Sequence, residues 1–210
     1  MRVLKPGDIN PSAIRFSDPK TNPTGSQSVY VNYPPGAANR FDEKIVLHTP
    51  AVSIPFGISD YNGKLSLDLS IKDSGFIDCI KNIDECIKKT AVANSIQWFG
   101  KSLSEDQIEQ LYKPSLRQNN PKFPLLMKAK MFTRDDTFEG DIFDHNKNPT
   151  DMSAIRRGSS IQAIVQLVGV YLVAKEFGCS WKVTQVKVLQ NRNIEGYAFV
   201  DDDDDGPVEP

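Results

Sequence analysis

The chain has 210 residues, 39% of them hydrophobic and 25% charged, with 25 Lys and Arg against 27 Asp and Glu. That is enough apolar mass for one well-filled domain, and the composition excludes a wholly disordered or uniformly polyionic chain. The most apolar run, 161–174, contains Gln162 and Gln166 and falls short of the roughly 20 apolar residues of a membrane span, and the first ten residues carry no apolar stretch, so neither a membrane nor a secreted protein is expected.

From the N-terminus, short β-branched and aromatic runs alternate with turn residues. Ala13–Ser17, Ser28–Tyr33, Lys44–His48 and Lys64–Ile71 each show the two-residue alternation of a strand with one wet face. In the last of these, Leu65, Leu67, Leu69 and Ile71 point one way, while Lys64, Ser66, Asp68 and Ser70 point the other. The period then changes to about 3.6. Phe76, Ile77, Ile80, Ile83, Ile87, Ala91 and Ile96 predict one long helix over about 75–99, with Ser74 as N-cap and Gly100 as its stop. Ser104 with Gln107 opens a second, shorter helix through a capping box. A strand is expected at 125–132, then a long polar loop at 133–158 that is functional, mobile or partly paired as a hairpin. Two β-rich runs, Ser160–Lys175 and Ser180–Leu189, close the body around a turn at Gly178.

Catalytic patterns are weak. His48 and His145 stand far apart, outside any nucleophile or zinc arrangement, and no Gly-rich phosphate cradle occurs. Cys79, Cys86 and Cys179 are an odd number at no metal-ligand spacing, which suits a reduced, intracellular protein with no metal or cofactor. The stretch from Asp144 begins like a calcium loop, but Pro149 stands where that loop needs Gly and Ile155 where it needs a bidentate Glu. A metal-dependent nuclease using the 135–151 carboxylates is the minor enzymatic alternative.

Nucleic-acid features are more numerous. Strand 125–132 lines up Lys128 and Lys130 on one face, about 7 Å apart, a spacing that suits a phosphate backbone. Arg156, Arg157, Lys175, Lys182 and Lys187 are the further candidate cations, and Tyr33, Phe132, Tyr171 and Trp181, with Tyr30 also considered, are candidate stacking platforms for bases. Asp201, Asp202, Asp203, Asp204 and Asp205 follow, and with Glu209 they put six acids into residues 201–210, which Gly206, Pro207 and Pro210 keep from forming a helix. Residues 1–200 alone carry a formal +4. The organisation expected is therefore a basic domain over 1–200 with a solvated acidic tail, able to lie in the groove that would otherwise hold phosphates.

Residues 14–22, 28–33, 47–57, 175–188 and 197–200, followed by the aspartates, resemble single-stranded DNA-binding proteins of the T7 phage type, and more closely their relatives in large nucleocytoplasmic DNA viruses. The resemblance implies a mainly β fold with α, an OB-fold-like antiparallel barrel interrupted by one long helix. It implies binding of single-stranded DNA without strict sequence preference, at sites of replication and recombination. It further implies a tail that recruits DNA polymerase or helicase-primase and supports a homodimer. Phage members end in an aromatic residue, whereas Pro210 ends this sequence and Phe199 precedes the acids. The alternative from another class is a protein-interaction module whose tail only recruits or solubilises.

Overall fold

Alternating apolar and polar residues set the longer strands of this chain, and the computed structural model describes residues 2–22, 25–34, 43–173 and 175–190. In chain order the first strands are β1 Arg15–Phe16, β2 Lys20–Thr21, β3 Gln27–Val29, β4 Val31–Asn32, β5 Val46–His48, β6 Val52–Ser53, β7 Ile58–Tyr61 and β8 Lys64–Ile71. Helices α1 Ser74–Ala93, α2 Ser95–Phe99 and α3 Glu105–Leu111 come next. The remaining strands are β9 Tyr112–Lys113, β10 Leu116–Arg117, β11 Leu125–Met131, β12 Thr133–Arg134, β13 Thr137–Phe138, β14 Asp141–Phe143, β15 Pro149–Thr150, β16 Ser160–Val173 and β17 Glu176–Val188. The result is a mainly β protein with one large sheet and three α-helices among the described residues.

The central ladder returns to its starting strand. β16 pairs with β17 along most of its length, β17 with β11, β11 with β8, β8 with β6, and β6 with β16. Strands β3 and β5 add to the other edge of β16. One side of these strands is apolar: Leu67, Leu69, Ile71, Met127, Ala129, Met131, Val165, Leu167, Phe177, Trp181 and Val183 are all buried in one cluster. Helix α1 adds Phe76, Ile80, Ile83, Ile87 and Ala91 to the same core, which is why its sequence has the 3.6-residue period. Asp84 is the polar exception on that helix. Its buried carboxylate accepts from Tyr112 Oη at 2.7 Å and from the Ser115 N–H and hydroxyl at 2.9 and 2.7 Å, tying α1 to the segment before β10. Burial pushes its pKa up, and the bonds from Tyr112, Ser115 and Cys179 work against that rise.

Several expectations change on contact with the structure. The long helix is interrupted at Asn94, which leaves helical geometry (φ −112°, ψ 23°), and its N-cap is Asp73, whose carboxylate accepts from the Phe76 N–H. Gly100 ends α2 in the left-handed region (φ 70°), as its position suggested. The Ser104–Gln107 capping box is present at α3. The polar face of β8 is not wet: Ser66, Asp68 and Ser70 are all buried, and Asp68 accepts from Arg117 at 2.7 Å. Gly178 lies inside β17 opposite Tyr171, since β16 runs to Val173 and β17 already begins at Glu176. The 133–158 stretch contains two short hairpins, β12–β13 and β14–β15. The aspartate run lies outside the described residues.

Candidate nucleic-acid interface

Residues paired directly across a sheet project to the same side. Gln166 of β16 stands opposite Lys182 of β17, Lys182 opposite Lys130 of β11, Lys130 opposite Ser66 of β8, and Ser66 opposite Ser59 of β7. This row crosses five strands on the side away from the core, because Met127, Ala129, Met131, Trp181 and Val183 take the core side. Lys128 and Phe132 flank Lys130 at two-residue spacing and therefore share its face. The Lys182 ammonium lies 5.4 Å from the centre of the Phe132 ring, a cation–π contact on an exposed aromatic.

Lys64 joins this group from β8. Leu65 pairs with Met131, so Lys64 comes next to Phe132, and Lys64 in turn pairs with Tyr61 across the β7–β8 hairpin. Asn62 and Gly63 form the hairpin tip with φ of 53° and 73°, the left-handed pair that an Asn-Gly turn supplies, and Tyr61 is left 75% exposed. The lysines press on one another. The Lys130 pKa is lowered, first by burial and then by repulsion from Lys64 and Lys128.

Lys187 lies further along β17 on the same side, opposite Gln162 and next to Phe143, and lines a cleft of about 320 Å³ with His48, Lys147 and Gln185. Tyr171 also belongs to this side and is half-buried, its hydroxyl 3.0 Å from where a side chain on Gly178 would begin. Lys175 is exposed at the β16–β17 connection, about 23 Å along the strand from Lys182. Arg156 and Arg157 are exposed in the turn before β16, where the Arg157 backbone packs on Gly57. None of the register pairs joins Lys175, Arg156 or Arg157 to the Lys130 row.

Two of the candidate platforms are core residues. Trp181 is 2% exposed and donates from Nε1 to Ser115 Oγ at 3.1 Å. Tyr33 is 7% exposed, and its hydroxyl accepts from the Asn10 N–H at 2.8 Å. Neither ring has a face to offer a base. Lys20, Lys44, Lys64, Tyr30 and Tyr61 belong on the list instead. The Asn-Gly hairpin was the signal for Tyr61 and Lys64, since it sets those two residues across from each other. For Lys20 and Lys44 no spacing in the chain points to Tyr30, which they meet only through tertiary packing.

Among the described residues, no carboxylate pairs with Lys20, Lys44, Lys64, Lys128, Lys130, Lys182 or Lys187, whereas Lys88 is bonded to Glu85 and Glu109, Arg117 to Asp68, and Arg134 to Glu139. Asp68, opposite Lys128 in the register, is the carboxylate that Arg117 occupies. The 135–151 carboxylates do not gather: the described residues hold no group of three or more His, Cys, Asp or Glu placed to bind a metal. Asp144 instead accepts from the Asn148 N–H at 2.8 Å and its side chain at 3.2 Å, closing the β14–β15 turn.

Fold and face together define a mainly β protein with a cationic sheet surface studded by exposed rings. Residues 57–201 match DUF5871, described as a family of unknown function, and the chain belongs to that family. No curated protein matches it in sequence. Among solved structures it is similar to gp2.5, a single-stranded DNA-binding protein encoded by bacteriophage T7, at 15% identity over 75% of this chain and 98% of that one (TM-score 0.49). It is also similar to the C-terminally truncated single-stranded DNA-binding protein of bacteriophage Enc34, at 11% identity over 86% and 92% (TM-score 0.45). The Enc34 protein in complex with single-stranded DNA gives 11% identity over 87% and 96% (TM-score 0.42). With all three scores below 0.5, the functional reading rests on the surface of this chain.

Proposed function

We propose that this protein binds single-stranded DNA without strict sequence preference, as a non-enzymatic component of replication and recombination related to the proteins of large nucleocytoplasmic DNA viruses. The observation that carries the reading is the face on which Lys64, Lys128, Lys130 and Lys182 stand unpaired around Phe132, with Tyr61 at its edge. Ammonium groups without acidic partners attract phosphates and release their counterions. Exposed rings accept the flat face of any base, which explains indifference to sequence, and a duplex hides those faces, which explains preference for a single strand. The closed ladder of pairings is read as an OB-type barrel, a fold whose strands commonly carry such a site. Tyr171 and Lys187 extend the surface, and Lys175, Arg156 and Arg157 are outlying cations for a longer strand. In this reading Asp201–Asp205 compete with DNA for the face and recruit polymerase or helicase-primase, at sites of DNA replication within the cell.

The test is fluorescence anisotropy with a labelled 30-nucleotide single strand and its duplex across a salt series. Tighter binding to the single strand, weakening steeply with salt, is the expected result. Equal affinity for the two forms, or no binding at 50 mM salt, refutes the reading and moves attention to protein partners.

A further inference from the structure

Tyr30 holds two ammonium groups at its ring, Lys20 Nζ at 5.2 Å and Lys44 Nζ at 5.3 Å from the centroid. Lys44 is fixed by donating to Asn32 Oδ1 at 2.8 Å, and Lys20 comes from β2 beside Ser28. Neither is ion-paired among the described residues. Two like charges held by one neutral ring repel each other, and the ring's quadrupole offsets only part of that repulsion. An anion between them removes it. Val29 and Val31 are fully buried, so Tyr30 between them points to the opposite side, the side of the Lys130 row.

The ground between this group and Phe132 is low. Tyr30 stands beside Gly169, where an added Cβ would lie 2.6 Å from the Val29 carbonyl oxygen and 3.7 Å from Tyr30 Cα. Gly169 pairs with Ser180, and Ser180 is two residues from Lys182 on the same face of β17. Strand spacings put Tyr30 about 12 Å from Lys182, room for one or two nucleotides of extended strand. Over that distance the floor is a glycine and a serine, with a lysine-flanked ring at each end.

Resting on the single-strand reading above, we propose that Tyr30, Lys20 and Lys44 form a second nucleotide-binding station. A base stacks on the Tyr30 ring, Lys20 and Lys44 hold the adjoining phosphate, and the strand crosses the Gly169–Ser180 floor to reach Phe132 and Lys182. A strand too short to span the floor engages one station; a longer one engages both.

The experiment compares anisotropy titrations of thymidine oligonucleotides of two and eight nucleotides for the full chain, Tyr30→Leu, Tyr30→Phe and Phe132→Leu. The ratio of octamer to dinucleotide affinity should fall about tenfold in Tyr30→Leu, in keeping with the loss of one stacked base, and stay unchanged in Tyr30→Phe, which keeps the ring. An unchanged ratio in Tyr30→Leu, with Phe132→Leu still weakening the octamer, overturns the second station and leaves the first standing. A fall in Tyr30→Phe equal to that in Tyr30→Leu also overturns it, because the hydroxyl rather than the ring would then be responsible. Failure of the unaltered chain to bind either oligonucleotide overturns the station and the single-strand reading together.

Discussion

Lys130 is the residue at which the electrostatics of the face is most concentrated. Burial and the neighbouring Lys64 and Lys128 hold its pKa below the ordinary lysine range, so the free protein gives up this proton earlier than an exposed lysine does. A bound phosphate favours the ammonium and raises the pKa again. Binding at alkaline pH therefore takes up a proton, and affinity should decline as pH rises toward 10. Lys130→Arg keeps its charge throughout, so its affinity should fall less steeply than that of the unaltered chain, as anisotropy titrations between pH 7 and 10 would check. Identical pH profiles would exclude Lys130 from phosphate contact. At this scale part of the candidate face was legible: Lys128, Lys130 and Phe132 follow one another at two-residue intervals and do share a face. The same rule shows why Trp181 fails. It is adjacent to Lys182, and neighbours in a strand point to opposite sides, so a groove that takes one sends the other to the core. Tyr33 follows Val29 and Val31 in phase and shares their burial.

Among the elements, β16 joins strands on both of its edges: β17 on one and β6, β5 and β3 on the other. Its register shifts by one residue between Ile164 and Val165 and again between Leu167 and Gly169, and Gly169 at the second shift lets β3 approach. Gly169→Ala puts a methyl group against the Val29 carbonyl and should cost about 1–3 kcal/mol by overpacking, measured as a lower urea midpoint. A midpoint equal to that of the unaltered chain would mean β3 moves aside freely. Element identity was readable where a pattern was strong, as in β8, β11, α1 and α3. It was less readable where a tertiary contact decides the outcome. Asn94 interrupts the helix with no proline or glycine to announce it. The serines of β8 read as a wet face, yet they are small enough for adjoining strands to cover, and Arg117 arrives from 49 residues away to satisfy Asp68.

Across the whole molecule, the formal +4 of residues 1–200 opposes the six acids of residues 201–210. If four lysines of the face each neutralise one phosphate, log affinity should fall against log salt with a slope of about −3, at roughly 0.7 per contact on a single strand. A chain ending at Val200 should bind more tightly at low salt, with the advantage shrinking as salt screens the acids from the face. Equal affinities of the two chains at 50 mM salt would remove the acids from any competition with DNA. The charge division was plain in the sequence. The closure of the strand ladder was not, because pairings such as β6 with β16 join residues more than a hundred positions apart and no local pattern encodes them.

The unpaired lysines of the face also bear on how copies of this protein meet. A surface whose seven lysines have no ion pair among the described residues is the wrong shape, electrically, for embracing its own duplicate. Two molecules approaching with these faces toward each other are driven apart. On the proposed single-strand reading, neighbours on one strand would then touch flank to flank, leaving each lysine face turned toward the strand.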